Sequence, residues 1–357
     1  MPGYVAAVRV RGETAIHAGG KMAVDPASPP MGDDTLFRIA SLTKCVGGAL
    51  AMTLIADGVL ALDDPIGKWL PEAASPRVLE TPDAPLDRTV EAVRPISVRH
   101  LLTMGCGWGV VLGDTPQWRA ILEREVSPGP LIPPMSGDEF VARWAEVPLA
   151  FQPGEGWLYD TGMDLFGVLA ARATGKPLSE LVAERITGPL GMAATGFGTS
   201  EIHRLATAYR PGPAGLELFD PPEGQFSGPP SFEELSSGLV STAPDVLRFF
   251  CAMADGGPPL LEPASVALMT ADALTDAQRL QAAPIVGAGG SWGLGTAVDV
   301  EAVRPWMAPG RWGWNGGTGT TARVDPSRDL VSVLLTQRAL TGPLDGFDEF
   351  WSAVATA

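Results

Sequence analysis

The sequence keeps its strand-like patterns at its two ends and its helical patterns between them, and that segregation limits the folds open to it. Residues 4–10 and 13–19 alternate around Arg11-Gly12, the pattern of a β-hairpin. Near the other end, Ser291–Val300, Thr320–Asp325 and Leu330–Thr336 read as strands, with Asp325-Pro326-Ser327-Arg328-Asp329 as the turn between the last two. Helical patterns fill Val98–Met104, Gln117–Val126, Asp138–Ala145, Met163–Thr174 and Leu178–Ile186. Gly175 and Gly188 mark the ends of the last two. A final helix over about Asp345–Val354, capped by Asp345, closes the chain. Strands so far apart in sequence bury their apolar faces together only if both ends join one sheet. The predicted fold is therefore α/β (α+β): an antiparallel sheet built from both chain ends, flanked by helices, with an inserted mostly helical domain. The expected division is 1–66 with 183–357 for the sheet domain and 67–182 for the helical one.

Composition narrows the function. A chain of 357 residues suits one large domain or two closely joined ones. The net charge of −16 repels polyphosphate, so nucleic acid is not an expected partner. Apolar runs such as Val46–Ile55 are too short and too interrupted by glycine to span a membrane. Met1-Pro2-Gly3 leads straight into strand pattern without a signal-peptide signature, which predicts a cytoplasmic location. Cys45, Cys106 and Cys251 lack metal-ligand spacing and read as buried free thiols. No metal and no cofactor are expected. Oligomeric state stays open.

The chemistry centres on Ser41. Leu36–Ala40 run into Ser41-Leu42-Thr43-Lys44, and an apolar helical pattern continues to Asp57-Gly58. Residues i and i+3 share a helix face, so Lys44 can point its amine at Ser41. Its neighbours, Cys45 to Leu50, carry no charge, and a lysine desolvated there would have a lowered pKa and serve as a base. Histidine, the usual activator of serine, is scarce: His17 lies near a hairpin end, His203 in a loop, and His100 at a helix start where a structural role fits better. One G-x-S-x-G occurs at Gly289-Gly290-Ser291-Trp292-Gly293, but a loop precedes it, a strand pattern follows it, and no histidine lies downstream. Ser291 therefore reads as part of a turn entering a strand. The Pro-rich stretches 75–95, 128–137 and 211–231 read as loops that rim a binding site.

Several motifs then recur in one order. They are Thr35-Leu36-Phe37-Arg38-Ile39-Ala40-Ser41-Leu42-Thr43-Lys44, Leu62-Asp63-Asp64-Pro65-Ile66, Ile96–Thr103, Phe151-Gln152-Pro153-Gly154 leading to Tyr159-Asp160-Thr161, Gly188–Met192, Gly238–Thr242 and Trp314-Asn315-Gly316-Gly317-Thr318-Gly319-Thr320. Together they resemble the serine β-lactamase-like family, which spans class C β-lactamases, DD-peptidases and family VIII carboxylesterases. The resemblance covers nearly the whole chain and is nearest, in its motifs, to the family VIII esterases. It implies Ser41 as nucleophile, Lys44 as its partner, and Tyr159 as the group that takes the serine proton and returns it to the leaving group. It also implies an oxyanion hole from the backbone N–H groups of Ser41 and Gly317, and substrate contacts from Trp314, Asn315, Gly316 and Thr161. Gly316 and Gly317 suit an edge backbone that approaches substrate closely.

Two positions depart from the family pattern. Thr161 stands where many members have asparagine, and Trp314 where they often have lysine or histidine. Tryptophan cannot hold a substrate carboxylate as that cation does; Arg311 and Arg323 are candidate substitutes. Trp314, with Trp108 or Trp157, would supply flat apolar walls. The expected function is hydrolysis of small neutral carboxylic esters through an acyl-serine. A β-lactamase or DD-peptidase-like amide hydrolase and an acyltransferase are the alternatives on the same site.

Overall fold

The two ends of the chain meet in one seven-stranded antiparallel sheet. The computed structural model describes residues 1–343 and 345–356. From one edge to the other the strands are Glu13–Gly20, Gly3–Val10, Leu330–Thr336, Thr320–Asp325, Trp312–Gly316, Ala297–Asp299 and Gly290–Trp292. Val5 pairs with Leu335 and Ala7 with Val333, so the amino-terminal hairpin is zipped onto the carboxyl-terminal strands. Leu330–Thr336 is buried at nearly every position, as befits a central strand covered on both faces. The helices Ala243–Ala254 and Asp348–Ala355 pack against it.

At the heart of the fold lies the helix Thr43–Ala56, buried continuously from Thr43 to Leu54. A helix that is apolar all round belongs in an interior. A glycine lets it sit there: a Cβ on Gly48 would lie 2.3 Å from the Leu294 carbonyl oxygen, so only glycine lets the helix and the turn after Gly290–Trp292 come together. The helix Thr161–Thr174 packs on the other side, together with Val98–Leu102. One contiguous apolar core runs through both the sheet and the helices of the middle segment.

Expectation and structure differ in a few elements. Ser291–Val300 is not one strand: a turn at Gly293–Thr296, closed by the Gly293 N–H on the Thr296 carbonyl, splits it into two. The last helix starts at Asp348, and Asp345 does not cap it. Instead the Asp345 carboxylate accepts from the Thr341 N–H and hydroxyl and pairs with Arg338. Two of the expected loops contain hairpins, Arg77–Leu79 with Thr89–Glu91 and Ala208–Gly212 with Gly215–Asp220. Cys45 and Cys106 are buried free thiols, which burial pushes up to about 11, whereas Cys251 is only half-buried. Among the described residues no helix is long and apolar enough to cross a membrane.

Candidate active site

Ser41 sits on a turn that the backbone has to strain to make. Ala40, just before it, has φ of 43°, a left-handed conformation that is costly for a residue with a Cβ. The turn is held from both sides. The Ile39 N–H bonds the Leu239 carbonyl at 3.0 Å, and Phe37–Arg38 pairs with Val240–Ser241, so the motif at Gly238–Thr242 is the brace for the motif at Ser41. Below, the Arg38 guanidinium is buried against Asp220 at 2.5 Å and bonds the carbonyls of Ala206 and Pro221, both at 2.6 Å.

The strand Trp312–Gly316 is docked onto the same turn. Thr318 Oγ1 donates to the Arg38 carbonyl at 2.5 Å, and Thr320 Oγ1 to the Ile39 carbonyl at 2.9 Å. A Cβ on Gly316 would lie 2.3 Å from the Ile39 oxygen, so glycine is required for this approach. Gly317 thereby comes to the same cavity wall as Ser41. Ser41 lies in the first turn of a short 3₁₀ segment, Ala40–Leu42, whose start has no side-chain cap, leaving its N–H free for an oxyanion. The peptide plane that carries the Gly317 N–H is fixed through its carbonyl, that of Gly316, which accepts from the Gly319 N–H at 2.9 Å.

Lys44 Nζ reaches Ser41 Oγ at 3.1 Å. It also donates to the Ser236 carbonyl at 2.7 Å and to the Asp160 carboxylate. Three ammonium protons thus have three acceptors. Burial favours the neutral amine, but the Asp160 carboxylate and the Tyr159 oxygen outweigh it and raise the lysine pKa above its ordinary value. The expectation of a lowered pKa at Lys44 is therefore corrected: the carboxylate beside it shifts the amine upward and favours the ammonium. Asp160, between the two motif positions singled out in the sequence, is the residue that sequence reading missed. It has φ 93° and ψ −74°, a strained γ-turn geometry, directly before the helix Thr161–Thr174. A lysine in an uncharged helix needs a counter-ion, and the acid inside the Tyr159-x-Thr161 motif was the signal for it.

Beneath this pair lie two further buried acids. Burial and the nearby Asp160 push Asp164 up to about 7, although its carboxylate accepts from the Ser236 N–H at 2.8 Å. Burial also raises Glu234 well above the carboxylate range; its carboxyl meets the Ser237 hydroxyl at 3.2 Å.

Tyr159 completes the group around Ser41. Its side chain lines the same cavity as Ser41, and its ring lies 4.6 Å from Lys44 Nζ. Trp314 Nε1 donates to the Tyr159 oxygen at 2.5 Å. Burial, helped by the Asp160 charge, raises the phenol pKa above its ordinary value against the lowering effect of Lys44 and the Trp314 N–H. The ring is boxed by tryptophans: Trp157 stacks on it at 5.9 Å, Trp292 meets it edge-on at 5.8 Å and Trp314 lies at 5.6 Å. Trp292 is the second residue that sequence reading missed, for it lies inside the G-x-S-x-G run that was read for its serine. Ser291 itself is fully buried on the edge strand and donates to Asp272.

Ser41, Tyr159, Trp314, Asn315 and Gly317 open on one cavity of about 430 Å³. Val110, Leu112, Pro128, Pro130, Ile285 and Leu340 give it apolar walls. Of the expected rim loops, 128–137 contributes Pro128 to Pro130, whereas 75–95 supplies no wall residue. Gly316 is buried in the hairpin as a spacer and Thr161 is buried in its helix, neither of them lining the cavity. The Thr161 hydroxyl finds no hydrogen-bond partner, because Asp160 occupies the place beside Lys44. Trp108 is core, packed on Trp144 with its N–H on the Val147 carbonyl at 2.7 Å. None of the three histidines lines the cavity; His100 caps its own helix with Ser97.

Comparison with known proteins agrees with this arrangement. The chain is 40% identical to Protein Rv1367c of Mycobacterium tuberculosis over 87% of its length and 79% of that protein. It is 33% identical to Esterase EstB of Burkholderia gladioli over 96% of its length and 88% of the relative. Its fold superposes on EstCE1, a hydrolase with promiscuous acyltransferase activity, with a TM-score of 0.86, covering 99% of this chain and 93% of the other at 25% identity. The sequence model of the Beta-lactamase family matches residues 1–356, so the chain belongs to the beta-lactamase family of serine hydrolases.

Proposed function

We propose that the chain is a carboxylesterase that cleaves small neutral carboxylic esters through an acyl-serine on Ser41. The observation that carries this reading is Ser41 Oγ bonded by Lys44 Nζ at 3.1 Å, with the Tyr159 ring over the same amine, at an apolar cavity whose third motif presents Trp314 instead of a cation. The similarity to Esterase EstB supports the ester class.

Tyr159, as phenolate, takes the Ser41 proton while Oγ attacks the ester carbonyl. The carbonyl oxygen gains the charge and is held by the Ser41 and Gly317 N–H groups, each worth about 3 kcal/mol in such sites. Tyr159 then hands the proton to the departing alkoxide. In the second half, water gives its proton to Tyr159 and attacks the acyl-serine, and the proton returns to Ser41 Oγ. Lys44 stays charged throughout and holds Ser41 and Tyr159 in place.

The test is turnover of p-nitrophenyl butyrate. Ser41→Ala is expected to lose at least about 10⁴-fold in kcat, while Ser291→Ala retains turnover. Unchanged activity in Ser41→Ala overturns the assignment. Nitrocefin hydrolysis at rates rivalling the ester would move the reading to a β-lactamase. Acyl transfer is favoured as a second activity by the apolar cavity and by the likeness to EstCE1. Partition of the butyryl group between water and added alcohol measures it.

A further inference from the structure

On the other side of Trp314 lies a second cavity, of about 140 Å³. It shares Ile285, Trp314, Asn315 and Pro343 with the cavity at Ser41. Its inner wall carries two buried arginines, Arg311 and Arg323, stacked among aromatic rings. Arg311 lies over Trp306 at 4.9 Å and over Trp351 at 5.0 Å; Arg323 lies over Trp351 at 5.4 Å and over Trp314 at 5.7 Å.

The two cations are provided for differently. Arg311 pairs with Asp299 at 3.1 Å. Arg323 is 7% exposed, yet no carboxylate lies within ion-pair distance among the described residues. Its one side-chain partner is the Asn315 oxygen at 3.2 Å, and its Nε is buried without any acceptor. The other acids on this wall are Asp345, which is occupied by Arg338 and Thr341, and Asp348, which is exposed, as is Arg304 on the same wall. Asp299, whose charge also acts on Arg323 from beyond ion-pair distance, answers two buried guanidiniums, so one positive charge is left over between the pair in a small, ring-walled space. A guanidinium so placed matches a carboxylate, which accepts two parallel N–H bonds.

We propose that this cavity is a carboxylate subsite, in which Arg323 binds the carboxylate of a small aliphatic acid. The acid is either free or the distal end of an ester whose reacting carbonyl sits at Ser41. The second source rests on the esterase reading; the binding itself does not. Ester cleavage of such a substrate would then proceed on a neutral carbonyl in one cavity while its anionic end is held in the other.

Tryptophan fluorescence of the whole protein, titrated with sodium butyrate or with butyramide, reads occupancy beside Trp314 and Trp351. Butyrate is expected to give a saturable change and butyramide none. Arg323→Gln is expected to weaken butyrate by at least about tenfold, and Arg323→Lys by less. Equal responses to butyrate and butyramide in the unmodified protein overturn the proposal, whatever the variants do. So does undiminished butyrate binding in Arg323→Gln. The source is read from kcat/KM for p-nitrophenyl hydrogen glutarate relative to p-nitrophenyl valerate. A fall of that ratio by at least about tenfold in Arg323→Gln assigns the carboxylate to the substrate. A constant ratio with lost butyrate binding assigns it to a free acid. Loss of all ester turnover by the unmodified protein would sink the esterase reading and leave the butyrate result standing.

Discussion

Lys44 and Arg323 are both buried cations within reach of the same tryptophan-lined wall, and their surroundings treat them in opposite ways. Lys44 has an acceptor for each of its protons, one of them a carboxylate. Arg323 has five N–H donors and one side-chain acceptor, an amide oxygen. Burial acts on both toward the neutral form. At Lys44 the Asp160 carboxylate reverses it and the pKa goes up; at Arg323 burial and the neighbouring Arg311 bring it down to about 9. Burial therefore does not decide what a cation does here. The partner decides, and a cation with its partners in place is a structural fixture, whereas one without them is a binding site.

Breaking the first half of that contrast has the largest expected effect. Asp160→Asn leaves the Lys44 ammonium buried without a counter-charge and keeps the side-chain shape. Removing one member of a buried pair typically costs about 3–5 kcal/mol. Urea unfolding of Asp160→Asn is expected to show a loss of that size. A loss below about 1 kcal/mol would mean that Lys44 is not held as a cation by Asp160, and the lysine would again be a candidate base.

The next effect sharpens the role of Tyr159. With its phenolate as the base, as proposed, kcat/KM is expected to rise with pH, and burial would place that rise toward the alkaline side of an ordinary phenol. The Trp314 N–H donates to the same oxygen and favours the phenolate. Trp314→Phe keeps the wall and removes the donor. A hydrogen bond to a charged group is worth about 1.5–3 kcal/mol, roughly ten- to a hundredfold in rate. The variant is expected to lose that much at pH 7 and to approach the parent as pH rises. A pH-independent loss would show instead that Trp314 acts on substrate and not on Tyr159.

The contrast also marks what was legible in the sequence. Ser41 and Lys44 were readable from their spacing of three on one helix face, whereas Tyr159 and Gly317 came only from the family resemblance; Lys44 bonds Ser41, and Ser41, Tyr159 and Gly317 line one cavity. The sheet was readable because both ends alternate with period two. Asp160 was not, since a family pattern names Tyr159 and the position two residues on, and says nothing of what lies between. Trp292 was hidden because G-x-S-x-G draws the eye to its serine. Thr161 was read as a substrate contact because its position, not its environment, was considered; once Asp160 faces Lys44, Thr161 turns into the helix interior. The hairpin Ala208–Gly212 with Gly215–Asp220 was hidden by its Pro and Gly content, which a two-stranded edge hairpin tolerates and a central sheet does not. Arg323 was visible as a spare cation, but only packing shows that its charge is unanswered.

The smallest expected effect tests that unanswered charge directly. Arg323→Met replaces the guanidinium by an apolar chain that still packs on Trp314 and Trp351. It gives up one hydrogen bond to Asn315 and the two ring contacts, and it removes the cost of holding an uncompensated charge away from water. Those terms oppose one another, so stability is expected to change by no more than about 1 kcal/mol, in either direction. The difference from Asp160→Asn is what matters: one substitution strands a charge and the other removes a stranded one. If Arg323→Met proves as destabilising as Asp160→Asn in the same urea series, then Arg323 has protein partners that satisfy it, and its guanidinium is part of the framework and not a site awaiting an acid.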